Sequence, residues 1–245
     1  MNCGGKEDDQ QPIQVHKGNF HCKQKFCAKG EKALAIKTAT TKYGIVRGLR
    51  AGDPAISVFK GIPYALPPMG ALRWKAPQPA KPWTGTLNAY EFGPMPIQPD
   101  DPEWESATGY SNYEKSEDCL YLNVWTPAKD PQDKLPVAVW IHGGAYKCGA
   151  CNAKIYDGEA FAKRGCVFVS FNYRQGLLGF LAHPQLSQEN ERHISGNYET
   201  LDQIMALQWV HENIGAFGGD DGCVTLIGQS AGAHSVMTMC NTPLT

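Results

Sequence analysis

The chain has 245 residues, 42% of them apolar and 19% charged, and 23 Lys plus Arg against 24 Asp plus Glu leave a formal net charge of −1. That length and apolar share suit a packed core, as one large domain or two small ones, and argue against a disordered chain. The near-neutral balance supplies no basic field for nucleic acid or anionic lipid. Apolar runs such as 137–141 are far shorter than the roughly 20 residues that cross a bilayer, so neither a nucleic-acid partner nor a transmembrane segment is expected.

Residues 1–36, rich in Lys, Gln, Gly and Cys and without a period of 2 or 3.6, read as a loosely ordered lead-in, with one domain expected over 37–245. Met1 and Asn2 leave no room for the apolar region of a signal peptide. Cys3-Gly4-Gly5 ahead of a polar, acidic stretch is similar to the start of a mature lipoprotein; a plain polar N-terminus is the better-supported reading, and a secreted or lipid-anchored location stays open. The nine cysteines are scattered and odd in number, so at least one thiol stays unpaired within the chain. Short apolar stretches at 43–49 and 56–59, punctuated by Gly and Pro, predict a small antiparallel N-terminal sheet. Most of the 17 prolines fall within 61–102, which predicts a long irregular surface connection.

The second half has a different rhythm. Runs at 120–125, 137–141, 166–171 and 224–227 have strand length and are apolar at nearly every position, the pattern of strands covered on both faces of a mostly parallel sheet. Between them lie a helix candidate at 156–164 and a stronger one at 199–214, where Leu201, Ile204, Met205, Leu207, Val210 and Ile214 recur at helical spacing. Alternating strands and helices predict an α/β fold of the doubly wound kind.

Gly228-Gln229-Ser230-Ala231-Gly232 fits a nucleophile elbow, and its context fits too: the apolar run 223–227 leads in and a helix-competent stretch, 231–239, leads out. Flanking glycines suit a turn whose backbone segments approach too closely for a Cβ and which strains the serine itself. Ser230 would then stand exposed at a helix N-terminus, where N–H groups and the helix dipole favour developing negative charge. The run 137–141 opens into His142-Gly143-Gly144-Ala145, a glycine turn able to aim N–H groups at the same point as the N–H of Ala231.

These residues resemble the type-B carboxylesterase family, which includes the cholinesterases. The resemblance rests on blocks in the family's order: Phe59-Lys60-Gly61-Ile62-Pro63-Tyr64-Ala65; Ser116-Glu117-Asp118-Cys119-Leu120-Tyr121-Leu122-Asn123-Val124; Val139-Trp140-Ile141-His142-Gly143-Gly144; Asn172-Tyr173-Arg174; Leu201-Asp202-Gln203 with Ala206-Leu207-Gln208-Trp209-Val210; and Ala216-Phe217-Gly218-Gly219-Asp220. It implies the α/β-hydrolase fold, a small-molecule ester substrate cleaved by acyl transfer, Ser230 as nucleophile, and Gly143, Gly144 and Ala231 as oxyanion donors. It implies neither a metal nor an organic cofactor, and says nothing of oligomeric state or of which ester is cleaved. His142 would help to shape the oxyanion loop.

Several departures stand beside the matches. Phe92-Gly93-Pro94 is followed by Met95-Pro96-Ile97, so Cys119 lacks the disulfide partner usual in relatives, and Gln229 replaces the Glu frequent before the nucleophile. Cys148 and Cys151 have the spacing of a metal or redox pair, but a single pair carries little weight. The family's triad runs Ser, acid, His; only fifteen residues follow Ser230, none is Asp or Glu, and His234 sits one turn along the nucleophile's own helix, poorly placed to take its proton. The expectation is therefore the N-terminal portion of a catalytic domain, C-terminally incomplete, with an open apolar edge on its last strand and little turnover alone. The alternative is a non-catalytic, cholinesterase-like binding or adhesion protein on the same scaffold. An intact Ser230 and oxyanion loop argue against it.

Overall fold

A computed structural model describes residues 34–109 and 114–244. Cys3 and nearly all of the sequence-predicted lead-in lie outside them; of its last residues, Ala35 and Ile36 are buried, and Ile36 N–H donates to Ala128 O at 2.8 Å.

In chain order the elements are β1 (Thr38–Thr41), β2 (Gly44–Arg47), β3 (Leu49–Arg50), β4 (Ser57–Pro63), β5 (Thr86–Asn88), β6 (Met95–Pro96), α1 (Pro102–Thr108), β7 (Lys115–Ser116), β8 (Tyr121–Thr126), β9 (Leu135–Ile141), α2 (Glu159–Ala162), β10 (Val167–Phe171), α3 (Gly176–Phe180), α4 (Pro184–Gln188), α5 (Tyr198–Asn213), β11 (Gly219–Gly228) and α6 (Ala231–Met239). A six-stranded sheet in the order β11-β9-β10-β8-β4-β3 organises them. Its strands alternate between two buried faces. Val137, Val139, Ile141, Val167, Val169 and Phe171 join the larger core with Ile204, Leu207, Val210 and Met239 from α5 and α6. Ala138, Phe168 and Trp125 point the other way, onto Ala162 of α2. Helices thus cover both faces, the α/β-hydrolase architecture expected from the sequence.

The four predicted core strands fall on β8, β9, β10 and β11, and the stronger helix on α5, shifted by one residue. β9, β10 and β11 pair in parallel, whereas β8 runs antiparallel to both β10 and β4. A strand buried on both faces has the same apolar pattern in either direction, so the sequence carried no sign of this. Of residues 56–59, 57–59 open β4 in the main sheet, because Val58 and Phe59 bury on opposite faces against Trp125 and Val124; the small N-terminal sheet is instead β1-β2-β5, with β5 parallel to β2. The helix expected at 156–164 shrinks to a 3₁₀ turn, Lys154–Tyr156, and the single turn of α2. Between them Gly158 packs so tightly on Trp125 and Phe168 that no Cβ fits. Among the described residues β11 pairs with β9 alone, and Val224 is 36% exposed, so its outer edge is open. No helix among them is long and apolar enough to cross a membrane.

Candidate active site

Parallel pairing aligns Gly228 with Ile141, so β9 and β11 end side by side and release their following loops at one edge of the sheet. Such strand ends are where ligands bind in open α/β sheets. Gln229 and Ser230 bridge β11 to α6. Ser230 adopts φ 55°, ψ −123°, a region that costs a non-glycine residue about 1–3 kcal/mol. The turn is held by hydrogen bonds from Gly232 N–H to Gln229 O (2.9 Å) and from the N–H groups of Ala233 and His234 to Ser230 O (2.9 and 3.2 Å). Gly228 and Gly232 face each other across it, and Gly232 also lies directly against Ile141 O and His142 O, leaving no room for a side chain. Ser230 itself is exposed.

The loop after β9 comes to the same place. A Cβ on Gly143 would stand 2.7 Å from Gln229 O and 3.1 Å from Ser230 Cβ, so the first loop glycine abuts the serine. Gly144, Ala145 and Tyr146 follow with φ of 117°, 53° and 60°. Gly144 O accepts from the N–H groups of Lys147 and Cys148 (2.9 and 3.1 Å), and Gln98 clasps Gly149 by donating from Nε2 to its carbonyl and accepting from its N–H. His142 is fully buried, stacked on Tyr173 with ring centroids 4.5 Å apart, and Tyr173 Oη donates to His142 O. Burial pushes its imidazole down to about 4, outweighing the hydrogen bond to Gly143 O. A neutral ring whose Nδ1–H donates to Gly143 O (2.8 Å) braces the loop, and its Nε2 is buried without a partner, where burial disfavours taking up a proton.

Around this pair lie polar groups to which the sequence assigned no role. Tyr146 Oη donates to Ala231 O at 2.9 Å and stands 3.4 Å from Ser235 Oγ, which in turn accepts from Gln203 Nε2 at 3.0 Å. Arg174 grips Asp202 through Nε and Nη2 (2.8 and 2.6 Å), both side chains being almost wholly buried. One turn earlier on α5, Glu199 is also buried, and burial raises its carboxyl to about 7.

The remaining candidates are placed elsewhere. His183 caps α4 through Nδ1, His211 faces Asp221 at 3.9 Å, and His234 is exposed on α6, its carbonyl accepting from Thr238 Oγ1. Cys119 is a free, buried thiol, as expected from its missing partner. Cys151 is buried with Sγ accepting from Asn123 Nδ2, whereas Cys148 Sγ turns to Gly144 O. Among the described residues no three His, Cys, Asp or Glu side chains gather as metal ligands.

The model of the carboxylesterase family matches residues 35–245. The chain is 45% identical over 221 residues to a fumonisin B1 esterase of Sphingopyxis macrogoltabida, covering 88% of this chain and 40% of that protein. It is 45% identical over 211 residues to the para-nitrobenzyl esterase of Bacillus subtilis (strain 168), covering 86% and 41%. A solved structure of a PNB esterase superposes with a TM-score of 0.77 at 42% identity, covering 85% of this chain and 41% of that one. The chain thus spans about 40% of the length of the curated relatives it matches.

Proposed function

From its membership of the carboxylesterase family, to which this chain belongs, we propose that the complete protein hydrolyses small carboxylic esters through an acyl-enzyme formed on Ser230. In this reading Ser230 Oγ attacks the ester carbonyl, forming a C–O bond while its proton moves to a base. The tetrahedral oxygen collects hydrogen bonds from the N–H groups of Gly143, Gly144 and Ala231. Collapse breaks the bond to the alcohol, which leaves with that proton, and water then releases the acid and restores the hydroxyl.

The observation that carries the reading is the approach of Gly143 to Ser230 at a strained turn opening a helix. A binding module has no physical need for such strain. No part is assigned to a metal or organic cofactor. No described histidine is assigned as the proton acceptor: burial pushes the His142 imidazole down to about 4, and His234 is exposed on the same helix that Ser230 opens.

The test is hydrolysis of p-nitrophenyl acetate and labelling by a fluorophosphonate probe, using the polypeptide that carries this sequence in its host. Both are expected, and both should vanish in Ser230→Ala. Undiminished hydrolysis by that variant would refute the reading. The 245-residue chain alone should label weakly and turn over little; robust turnover by it would place the base within these 245 residues.

A further inference from the structure

We propose that Tyr146 is a positioning residue for this reaction: its hydroxyl ties the glycine loop after β9 to the first turn of α6 and so sets the separation between the two groups of oxyanion donors. The inference rests on the serine-esterase reading and extends it to a residue with no part in the chemistry itself.

The two donor groups sit on elements joined through the sheet, through the close backbone contacts of Gly143 and Gly232, and through what bridges them above it. Gly143 and Gly144 follow β9, and Ala231 begins α6. Tyr146 belongs to the first stretch, and its Oη donates 2.9 Å across to the carbonyl of Ala231, the residue whose N–H is assigned to the oxyanion. This bond spans 85 positions of sequence and ends within the proposed site.

The loop carrying Tyr146 has three successive residues at positive φ, two of them with side chains, a conformation that persists only where its surroundings over-determine it. Tyr146 supplies three of those restraints. Its carbonyl accepts from Gly176 N–H at 2.8 Å, its ring meets Phe180 edge-on at 5.1 Å, and its hydroxyl holds Ala231 O. The first two fix the loop to α3. Of these, only the hydroxyl sets the distance to α6.

The hydroxyl also enters a buried polar chain. Ser235, one turn further along α6, lies 3.4 Å from Tyr146 Oη and accepts from Gln203 of α5. Space-filling alone does not call for this arrangement. A phenylalanine ring packs on Phe180 equally well and lacks only the bond to α6.

The experiment compares wild type, Tyr146→Phe and Ser230→Ala in the polypeptide that carries this sequence in its host. It reads kcat, KM and inhibition by an aryl trifluoromethyl ketone, which adds to the serine and leaves its oxyanion in the donor site. A 1 Å misplacement can cost about a hundredfold, so a slackened loop should lower kcat about tenfold in Tyr146→Phe. KM should stay within about twofold, and ketone affinity should fall in the same proportion as kcat. Unchanged kcat and ketone affinity, with Ser230→Ala inactive, would overturn the positioning role and leave the esterase reading standing. Loss of kcat without loss of ketone affinity would overturn it too, as general damage. Undiminished activity in Ser230→Ala would remove the esterase reading and this inference with it. If Tyr146→Phe fails to fold, 3-fluorotyrosine at position 146 keeps the ring and alters donor strength. It should change kcat but not KM, and no change in kcat would overturn the proposal.

Discussion

Gly232→Ala tests whether α6 and the glycine loop after β9 are held by direct backbone contact. A β-carbon at position 232 would stand 2.8 Å from His142 O and closer still to Ile141 O. Ordinary contact is about 3.4 Å, so His142 O and the start of α6 must part by at least about 0.6 Å, and the pressure from Ile141 O demands more. Both oxygens lie at the end of β9, on chain that His142 stacking and the Tyr173 hydrogen bond hold in place. The strain therefore falls on α6, costing about 2–3 kcal/mol, which for a chain of this size lowers Tm by roughly 5–10 °C. The companion variant is Gly215→Ala, where a β-carbon meets nothing within 4 Å and φ is not positive. There the smaller entropy of the unfolded chain should give a neutral or slightly stabilising result, up to about 1 kcal/mol. Thermal unfolding by circular dichroism on the two variants beside wild type decides it. If Gly232→Ala melts within a degree of wild type, the two segments are not in the contact described, and the argument that brings the donors together is wrong.

Asp202→Asn should destabilise by about 3–5 kcal/mol in urea titration, because it leaves the Arg174 guanidinium buried without its charge partner; a loss under 1 kcal/mol would contradict the buried pair. Glu199 should impose a pH dependence of its own. Its folded value is raised from 4.5 to about 7, so its stabilising contribution is complete below pH 4.5 and is lost as pH rises through 7, amounting to up to about 3 kcal/mol. His142, lowered from 6.5 to about 4, acts oppositely, its contribution being complete above pH 6.5 and lost as pH falls toward 4. Comparing Tm against pH for wild type and Glu199→Gln isolates the first effect: the variant should be the more stable above pH 7 and the gap should close near pH 4.5, whereas parallel curves would refute it. Brief treatment of the native chain with N-ethylmaleimide, read by peptide mass spectrometry, should modify exposed Cys240 well before Cys119 or Cys151, whose thiols burial raises, the latter to about 12. Equal labelling of all three would contradict the burial.

What the sequence revealed and what it hid divide along one line. The strained bend at Ser230 and the close approach of Gly143 could be anticipated because both are local. A strained bend and a close backbone approach demand glycines at fixed offsets, and those offsets are visible in a string of residues. Strands β9 and β10 were legible for a similar reason, since burial on two faces requires apolar residues at nearly every position. The direction of β8 was not, because burial does not depend on which way a strand runs. Glu199 reads as an ordinary acidic residue in the first turn of a helix; it is buried because Gly179, lacking a side chain, lets α3 close over it, with a β-carbon there only 3.2 Å from Glu199 Cβ. Tyr146 is the extreme case, since its partner is 85 positions away and an aromatic after a glycine turn carries no mark of where its hydroxyl points. The groups that would meet the substrate's oxygen are thus the readable ones, and those that would hold them apart at the right distance are not. A search of related sequences for Gly-Gly and Gly-x-Ser-x-Gly alone would therefore find candidate nucleophiles without separating chains whose donors are rigidly spaced from chains whose donors are loose.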